Sequence, residues 1–179
     1  LNIIKNTKIY NKRDKIRNEG CIMSKNFDDL LSKLKGIQRK KLAVAVAQDE
    51  PVLEAVKEAN DKGIADAILV GNKEEISLIA KNIGMDLNKF EIVNIEEPKK
   101  ATLHAVELVS IGRADMLMKG LVDTATFLRS VLNKEVGLRT GSLMSHVAVF
   151  EIEGFDRLIL LTDAAFNTYP ELKDKAQII

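Results

Sequence analysis

The stretch KLAVAVA at residues 41–47 carries a lysine followed by six consecutive apolar side chains. Such a run is typical of a strand that is buried on both faces of a parallel sheet. Directly after it, Asp49 can cap a helix with Pro51 in the first turn, and Gly63 lies where that helix should end. The stretch therefore predicts a central strand that leads into a covering helix.

The same alternation of a short apolar run and an amphipathic segment repeats on both sides of this stretch. Further strands are predicted at residues 67–70, 91–95 and 115–118, and further helices from Phe27, from Asn72, from about Pro98 and from Thr124. Strands that alternate with helices at this interval indicate βαβ units. The predicted fold class is α/β, with a doubly wound and mostly parallel sheet.

The pattern changes near the carboxyl end of the chain. Residues 147–152 and 157–162 are two apolar runs joined by a turn at Glu153 and Gly154, too close together for a helical crossover. They predict an antiparallel hairpin. A last helix is predicted from Pro170, and its apolar stripe reaches Ile179 without a cap. This predicts that the chain is truncated; a short docking tail is the alternative.

The first 22 residues differ from the rest in composition. They hold six Lys or Arg against two Asp or Glu, show no sustained helical or strand period, and begin without Met. We expect residues 1–22 to be a leader from translated upstream sequence, with Met23 as the start, or a disordered basic tail. We expect an N-terminal α/β domain over residues 23–150 and the start of a second, truncated domain over residues 151–179.

Composition narrows the classes of function. Apolar residues make up 46% and charged residues 30%, which is typical of a globular domain. From residue 23 onward, 21 basic residues face 24 acidic ones, and the chain has 4% aromatic residues and no Trp. This disfavours nucleic-acid binding. Apolar runs fall short of the roughly 18 residues of a membrane span, and the single Cys21 fits a reducing compartment. We expect a cytoplasmic protein that binds neither nucleic acid nor membrane.

Groups suited to binding anions follow the strand predicted at residues 115–118, where the chain turns into the next helix. Ligands of open parallel sheets bind outside the carboxyl ends of the strands, where helix starts expose N–H groups. The candidates there are Lys119, Gly120, Thr124, Thr126 and Arg129. The alternative is an ordinary helix start, capped by Asp123 or Thr124, with Arg129 facing solvent.

Two further segments carry polar candidates. The loop GLRTGSLMSH at residues 137–146 holds Arg139, Thr140, Ser142, Ser145 and His146, and the segment TDAAFNTYP at residues 162–170 holds Asp163 and Asn167. Each signal is weak alone. His146 opens a strand, but the sequence ties no carboxylate to it, whereas His104 lies within an apolar helix stripe and is interpreted as structural. Walker-type, GxGxxG and GxSxG motifs are absent from the sequence.

Taken together and in order, these segments resemble a known enzyme family. The stretches are MKGLVDT at 118–124 with FLR at 127–129, NKEVGLRTG at 133–141 with LMSHVAVFE at 143–151, and TDAAFN at 162–167 with Pro170. They are similar to those of the phosphate acyltransferases. The KGLV and GLRTG motifs resemble the butyryltransferases of this family more than its acetyltransferases.

The resemblance implies a two-domain α/β enzyme of the isocitrate/isopropylmalate dehydrogenase-like fold, with a cleft between domains and commonly an oligomer. It implies the reversible conversion of butanoyl-CoA and phosphate into butanoyl phosphate and CoA, or the same reaction of acetyl-CoA, without a metal or redox cofactor. The alternative hypotheses are that the protein is a dehydrogenase of the same fold or that the chain is a non-catalytic fragment.

The resemblance also implies roles for the candidate residues. Arg129 and Arg139 would contact phosphate or CoA, and Asp163 and Asn167 would orient the lining of the cleft. His146 is a candidate proton carrier, while the main catalytic residues would lie beyond Ile179. The remaining candidates for binding substrate are Lys119, Gly120, Thr124, Thr126, Thr140, Ser142 and Ser145.

Overall fold

A computed structural model describes residues 3–5, 24–34 and 36–179. The chain forms two compact units, one of Leu1–Lys8 with Gln38–Arg139 and one of Ile9–Ile37 with Thr140–Ile179, and each is considered by itself. Most of the expected leader, residues 1–22, lies outside the described residues. The domain boundaries after residues 22 and 150 stay a prediction.

The first unit is built on a five-stranded sheet in the order β1-β5-β2-β3-β4. The strands are β1 (Ile3–Lys5), β2 (Lys40–Ala45), β3 (Ala65–Gly71), β4 (Glu91–Asn94) and β5 (Met116–Lys119). β2 to β5 run parallel, as predicted, and β1 pairs antiparallel with β5 at one edge. β1 was not predicted, because three residues are too few to show a period.

Four helices connect and cover these strands. They are α2 (Glu50–Asp61), α3 (Lys73–Asn82), α4 (Pro98–Ser110) and α5 (Thr124–Val131), with a 3₁₀ turn at Leu87–Lys89 before β4. The start signals act as predicted at α3, where the Asn72 side chain accepts hydrogen bonds from the N–H groups of Glu74 and Glu75. At the end of α2, Gly63 takes a φ of 70°, which a side chain would disfavour.

The core confirms that the stretch 41–47 is the centre of the sheet. β2 lies between β5 and β3, and residues 43–47 are at most 1% exposed. One face packs on Leu53 of α2 and Ile76 of α3, and α4 contacts β2, β3, β5 and α5. Burying one such leucine or isoleucine stabilises the fold by about 1.5–3 kcal/mol. The doubly wound α/β prediction is confirmed.

The second unit contains the predicted hairpin. β6 (Ala148–Phe150) pairs antiparallel with β7 (Ile159–Leu161), with Val149 opposite Leu160. α1 (Phe27–Lys33) lies between β1 and β2 in sequence but belongs to this unit, where the Phe27 N–H donates to Glu151 Oε2 over 2.9 Å. α6 (Leu172–Ile178) begins two residues after Pro170 through a capping box of Glu171 and Asp174.

No helix in the part of the chain that the structure describes combines the length and apolar character needed to cross a membrane.

Candidate functional site

The turn between β5 and α5 lies at the carboxyl edge of the parallel sheet, as predicted. Beyond the last paired residues of β2 and β5, the Gly120 N–H donates to Ala45 O and the Leu121 N–H donates to Val46 O, both over 2.8 Å. These bonds fasten the turn to the end of β2. The Lys119 ammonium folds back and donates to Val122 O over 2.6 Å, so one of its hydrogens is already used within the turn.

Gly120 has a packing reason that the sequence analysis did not give. A Cβ built at this position would lie 2.2 Å from Val46 O and 2.7 Å from Ala45 O. Glycine is therefore required for the close approach of two backbone segments. This packing explains the glycine without a ligand, and the approach of a ligand to Gly120 stays a prediction.

The start of α5 is capped by an acidic side chain. Asp123 Oδ1 accepts the Thr126 N–H over 2.8 Å, which is the ordinary helix start that the sequence left open as the alternative. Hydrogen bonds from the Thr126 side chain and N–H lower the pKa of Asp123, and the charge of Arg129 adds to the effect. Thr124 and Arg129 are exposed at this helix. Asp123 thus brings a negative charge to the predicted anion site.

The two glycines of the GLRTGSLMSH loop serve different purposes. A Cβ at Gly137 would lie 2.2 Å from Asn133 O and 2.6 Å from Val131 O, so this glycine lets the loop pass close to the end of α5. The Leu138 N–H donates to Val131 O over 2.8 Å there. Gly141 has open space around it and a φ of 80°, as a turn requires. Arg139, between them, is exposed.

The segment after β7 is organised around the carboxylate of Asp163. Its Oδ1 accepts the N–H groups of Ala165 (2.9 Å) and Phe166 (3.1 Å), and its Oδ2 accepts Asn167 Nδ2 over 2.5 Å. Burial raises the pKa of Asp163, but these hydrogen bonds and the backbone N–H of His146 outweigh it and lower the pKa to about 2. The carboxylate is ionised at neutral pH and its oxygens are occupied.

The same segment holds the backbone of the polar loop. Thr162 Oγ1 donates to His146 O over 2.8 Å, and Asn167 Nδ2 donates to Met144 O over 2.9 Å. Ser145 lies between these two held residues and is half-buried. The Nδ1 atom of His146 is buried, and none of residues 24–34 and 36–179 offers it a hydrogen-bond partner. Two separate stretches of sequence are therefore joined beside Ser145 and His146.

The structure divides the predicted site residues between the two units. The first unit holds Lys119, Gly120, Thr124, Thr126, Arg129 and Arg139, and the second holds Thr140, Ser142, Ser145, His146, Asp163 and Asn167. Within the second unit, Asp163, Asn167 and the loop around His146 come together. Thr140 and Ser142 lie nearer the start of the loop and are exposed, with the Ser142 N–H 3.4 Å from Thr140 Oγ1.

The sequence analysis missed one feature at the edge of the sheet. Val46 directly follows β2, is 1% exposed and has a φ of 55°, a conformation that is rare for a β-branched residue. Its residue type gives no signal of this conformation. Among the described residues, no group of three or more His, Cys, Asp or Glu side chains is arranged to hold a metal ion.

The chain is similar to proteins of a known family. The chain matches the family described as phosphate acetyl/butaryl transferase over residues 26–102 and 96–179. It is 73% identical over 157 residues to the phosphate butyryltransferase of Clostridium beijerinckii and 69% identical over 157 residues to that of Clostridium acetobutylicum. In both cases the match covers 88% of this chain and 52% of the relative, so the chain spans about half the length of these relatives.

A solved structure supports the fold. A phosphotransacetylase from Streptococcus pyogenes superimposes with a TM-score of 0.68 at 21% identity, covering 85% of this chain and 54% of that one. At this identity the likeness concerns the fold alone. Because the family match extends over most of the chain and relatives above 30% identity cover more than two thirds of it, the chain belongs to the phosphate acetyl/butaryl transferase family.

Proposed function

We propose that the protein of which this chain forms a part is a phosphate acyltransferase that converts butanoyl-CoA and phosphate into butanoyl phosphate and CoA, reversibly. The observation that carries the proposal is the 73% identity over 157 residues to a phosphate butyryltransferase. The order of the KGLV, GLRTG and TDAAFN segments supports it.

The reaction sets clear demands on the site. A phosphate oxygen attacks the thioester carbonyl, a C–O bond forms, and the C–S bond then breaks to release the CoA thiolate, which takes up a proton. The enzyme has to hold a dianion against the carbonyl and stabilise charge on the tetrahedral oxygen. Arginine suits the first task because its guanidinium binds phosphate in a bidentate manner.

In the first unit, Arg129 and Arg139 are the proposed contacts to phosphate or to the CoA phosphates. Both are exposed, and Arg129 lies on the same helix as the exposed Thr124 and the half-buried Thr126. We propose Lys119 as a further donor, because its ammonium can bond a ligand as well as Val122 O. Because the Asp123 carboxylate would repel a phosphate group at the start of α5, we propose that the phosphate or CoA lies closer to Arg129 than to the start of this helix.

In the second unit, the hydroxyls of Ser142, Ser145 and Thr140 are the proposed donors, and His146 is a candidate proton carrier. Its buried Nδ1 lacks a partner among the described residues. Residues outside this chain are proposed to complete the chemistry.

Acetyl-CoA is the alternative substrate, since the family description names both acyl groups. One methylene in an apolar pocket is worth only about 1–3 kcal/mol of discrimination. We therefore propose a preference for butanoyl-CoA with lower activity on shorter acyl groups. We also propose a homo-oligomer in the cytoplasm that needs no metal. Acyl transfer involves no change in oxidation state, so we propose no redox cofactor either.

The test uses a chimera in which this chain replaces the matched part of the C. beijerinckii phosphate butyryltransferase. Release of CoA thiol is measured with phosphate and butanoyl-, propanoyl- or acetyl-CoA, with the unaltered relative and this chain alone in parallel, with and without EDTA. We expect the chimera to prefer butanoyl-CoA and to be insensitive to EDTA. An inactive chimera beside an active relative would overturn the proposal.

A further inference from the structure

Asp163 is surrounded by donors from its own turn and from the polar loop. Its carboxylate receives the N–H groups of Ala165 and Phe166 and the Asn167 side chain. A carboxylate with three donors around it has little capacity left for a substrate. It is also a poor partner for a phosphate dianion, because both are negatively charged.

Its neighbours extend this arrangement to the loop. Asn167 uses the same Nδ2 group to reach both Asp163 and Met144 O, and Thr162 Oγ1 reaches His146 O. Thr162 and Asn167 therefore hold two backbone carbonyls, one on either side of Ser145, and Asp163 orients the Asn167 amide that makes one of these bonds. We name Thr162, Asp163 and Asn167 the anchor residues.

We propose that Asp163 is a positioning residue for the polar loop: with Thr162 and Asn167 it fixes the backbone of residues 144–146, and so sets the positions of the Ser145 and His146 side chains for acyl transfer. The last clause rests on the proposed function. The proposal gives a structural basis to the expectation that Asp163 and Asn167 orient the lining of the cleft.

Asp163→Asn separates these roles. The amide oxygen can still accept the N–H groups of Ala165 and Phe166, but the new amide N–H₂ opposes Asn167 Nδ2, so the turn is kept while the bond that orients Asn167 towards Met144 O is lost. Asp156→Asn is the matched control, because Asp156 is an exposed acid of the same unit that pairs with Arg157. Thr162→Val is the milder second variant, since it removes only the bond to His146 O and changes no charge.

The first measurement is the mobility of the loop in this chain, from ¹⁵N relaxation of the amides of residues 143–146. Order parameters near 0.85 mark rigid backbone and values below about 0.6 mark flexible backbone. We expect rigid values in the unaltered chain and in Asp156→Asn, and flexible values in Asp163→Asn. Equal rigidity in Asp163→Asn overturns the proposal. If Asp163→Asn does not fold, Thr162→Val decides, with a smaller loss of rigidity expected at His146.

The second measurement is the KM for phosphate in the active chimera. Loss of a positioning residue should raise this KM by about threefold or more, the order expected for one hydrogen bond. Removing a negative charge that faced the phosphate would lower it, and a smaller folded fraction would lower kcat alone. Either of those results overturns the positioning role. An inactive chimera with a loop loosened by Asp163→Asn would defeat the proposed function and leave the anchoring of the loop standing.

Discussion

Gly120 packs against the carbonyl group of Val46 so closely that no side chain fits between them. The turn after β5 is thereby locked to the end of β2 by the 2.8 Å bonds from Gly120 N–H to Ala45 O and from Leu121 N–H to Val46 O. Val46 itself keeps a φ of 55° in this arrangement. Two neighbouring strand ends of the parallel sheet are therefore built as one backbone unit that carries Lys119.

Gly120→Ala should destabilise the first unit severely. The new Cβ would lie 2.2 Å from Val46 O, and backbone cannot move aside as a flexible side chain can. We expect a loss of about 3 kcal/mol or more in the free energy of unfolding, in the range of severe backbone effects. Denaturant unfolding measures it.

The matched control is Gly112→Ala, where a Cβ meets open space and only the φ of 79° opposes the change. It should cost about 1 kcal/mol. Equal losses at both positions would show that the Val46 contact does not determine the need for glycine at residue 120.

Gly137→Ala should be more harmful than Gly141→Ala, although both lie in the same loop. At Gly137 a Cβ meets two carbonyl oxygens at the end of α5, whereas at Gly141 it meets open space and only the φ of 80° is unfavourable. We expect about 1 kcal/mol for Gly141→Ala and at least twice that for Gly137→Ala. Thermal unfolding of the two variants compares them, and the reverse order would contradict the packing seen at Asn133.

The strand pattern was predictable because its signals are local. A run such as residues 41–47 can only be buried on both faces, and Asn72 or Pro51 marks a helix start by its own chemistry. The left-handed conformation of Val46 was not predictable, since it is imposed by distant backbone. The two functions of Gly120 and Gly137 were missed for the same reason: their neighbours are carbonyl groups, which every residue type carries.

The site was predicted at the level of segments and not of contacts. Residues 137–146 and 162–167 were both selected, but their joining through Asn167 and Met144 O depends on the fold of the hairpin. The cap of α5 could be predicted, because Asp123 was one of the two residues that the sequence suggested for it, and its side chain makes the capping bond. Such local bonds are predictable, whereas a bond across 23 residues is not.

Acid should weaken the second unit through Asp163. Its pKa in the folded chain is lowered to about 2 from an ordinary value of 3.8, so the stabilisation is complete above about pH 4 and is lost as the pH falls towards 2. The difference in thermal midpoint between the unaltered chain and Asp163→Asn should therefore shrink from pH 6 to pH 2. A difference that stays constant over this window would show that the ionised carboxylate is not what stabilises the turn.

Arg139→Ala should weaken substrate binding without destabilising the chain. Arg139 is exposed, next to the loop turn at Gly141, so the substitution removes little packing. A hydrogen-bonded contact between a guanidinium and phosphate is worth about 1.5–3 kcal/mol, which corresponds to a rise of about tenfold or more in KM for phosphate or CoA. Steady-state kinetics of the chimera measure this rise.

Arg113→Ala is the control, because Arg113 is an exposed arginine of the same unit whose guanidinium already pairs with Glu91 over 2.6 Å. The KM values of this variant should be unchanged. Unchanged KM values in Arg139→Ala would remove Arg139 from the site and leave Arg129 as the arginine that meets the phosphate.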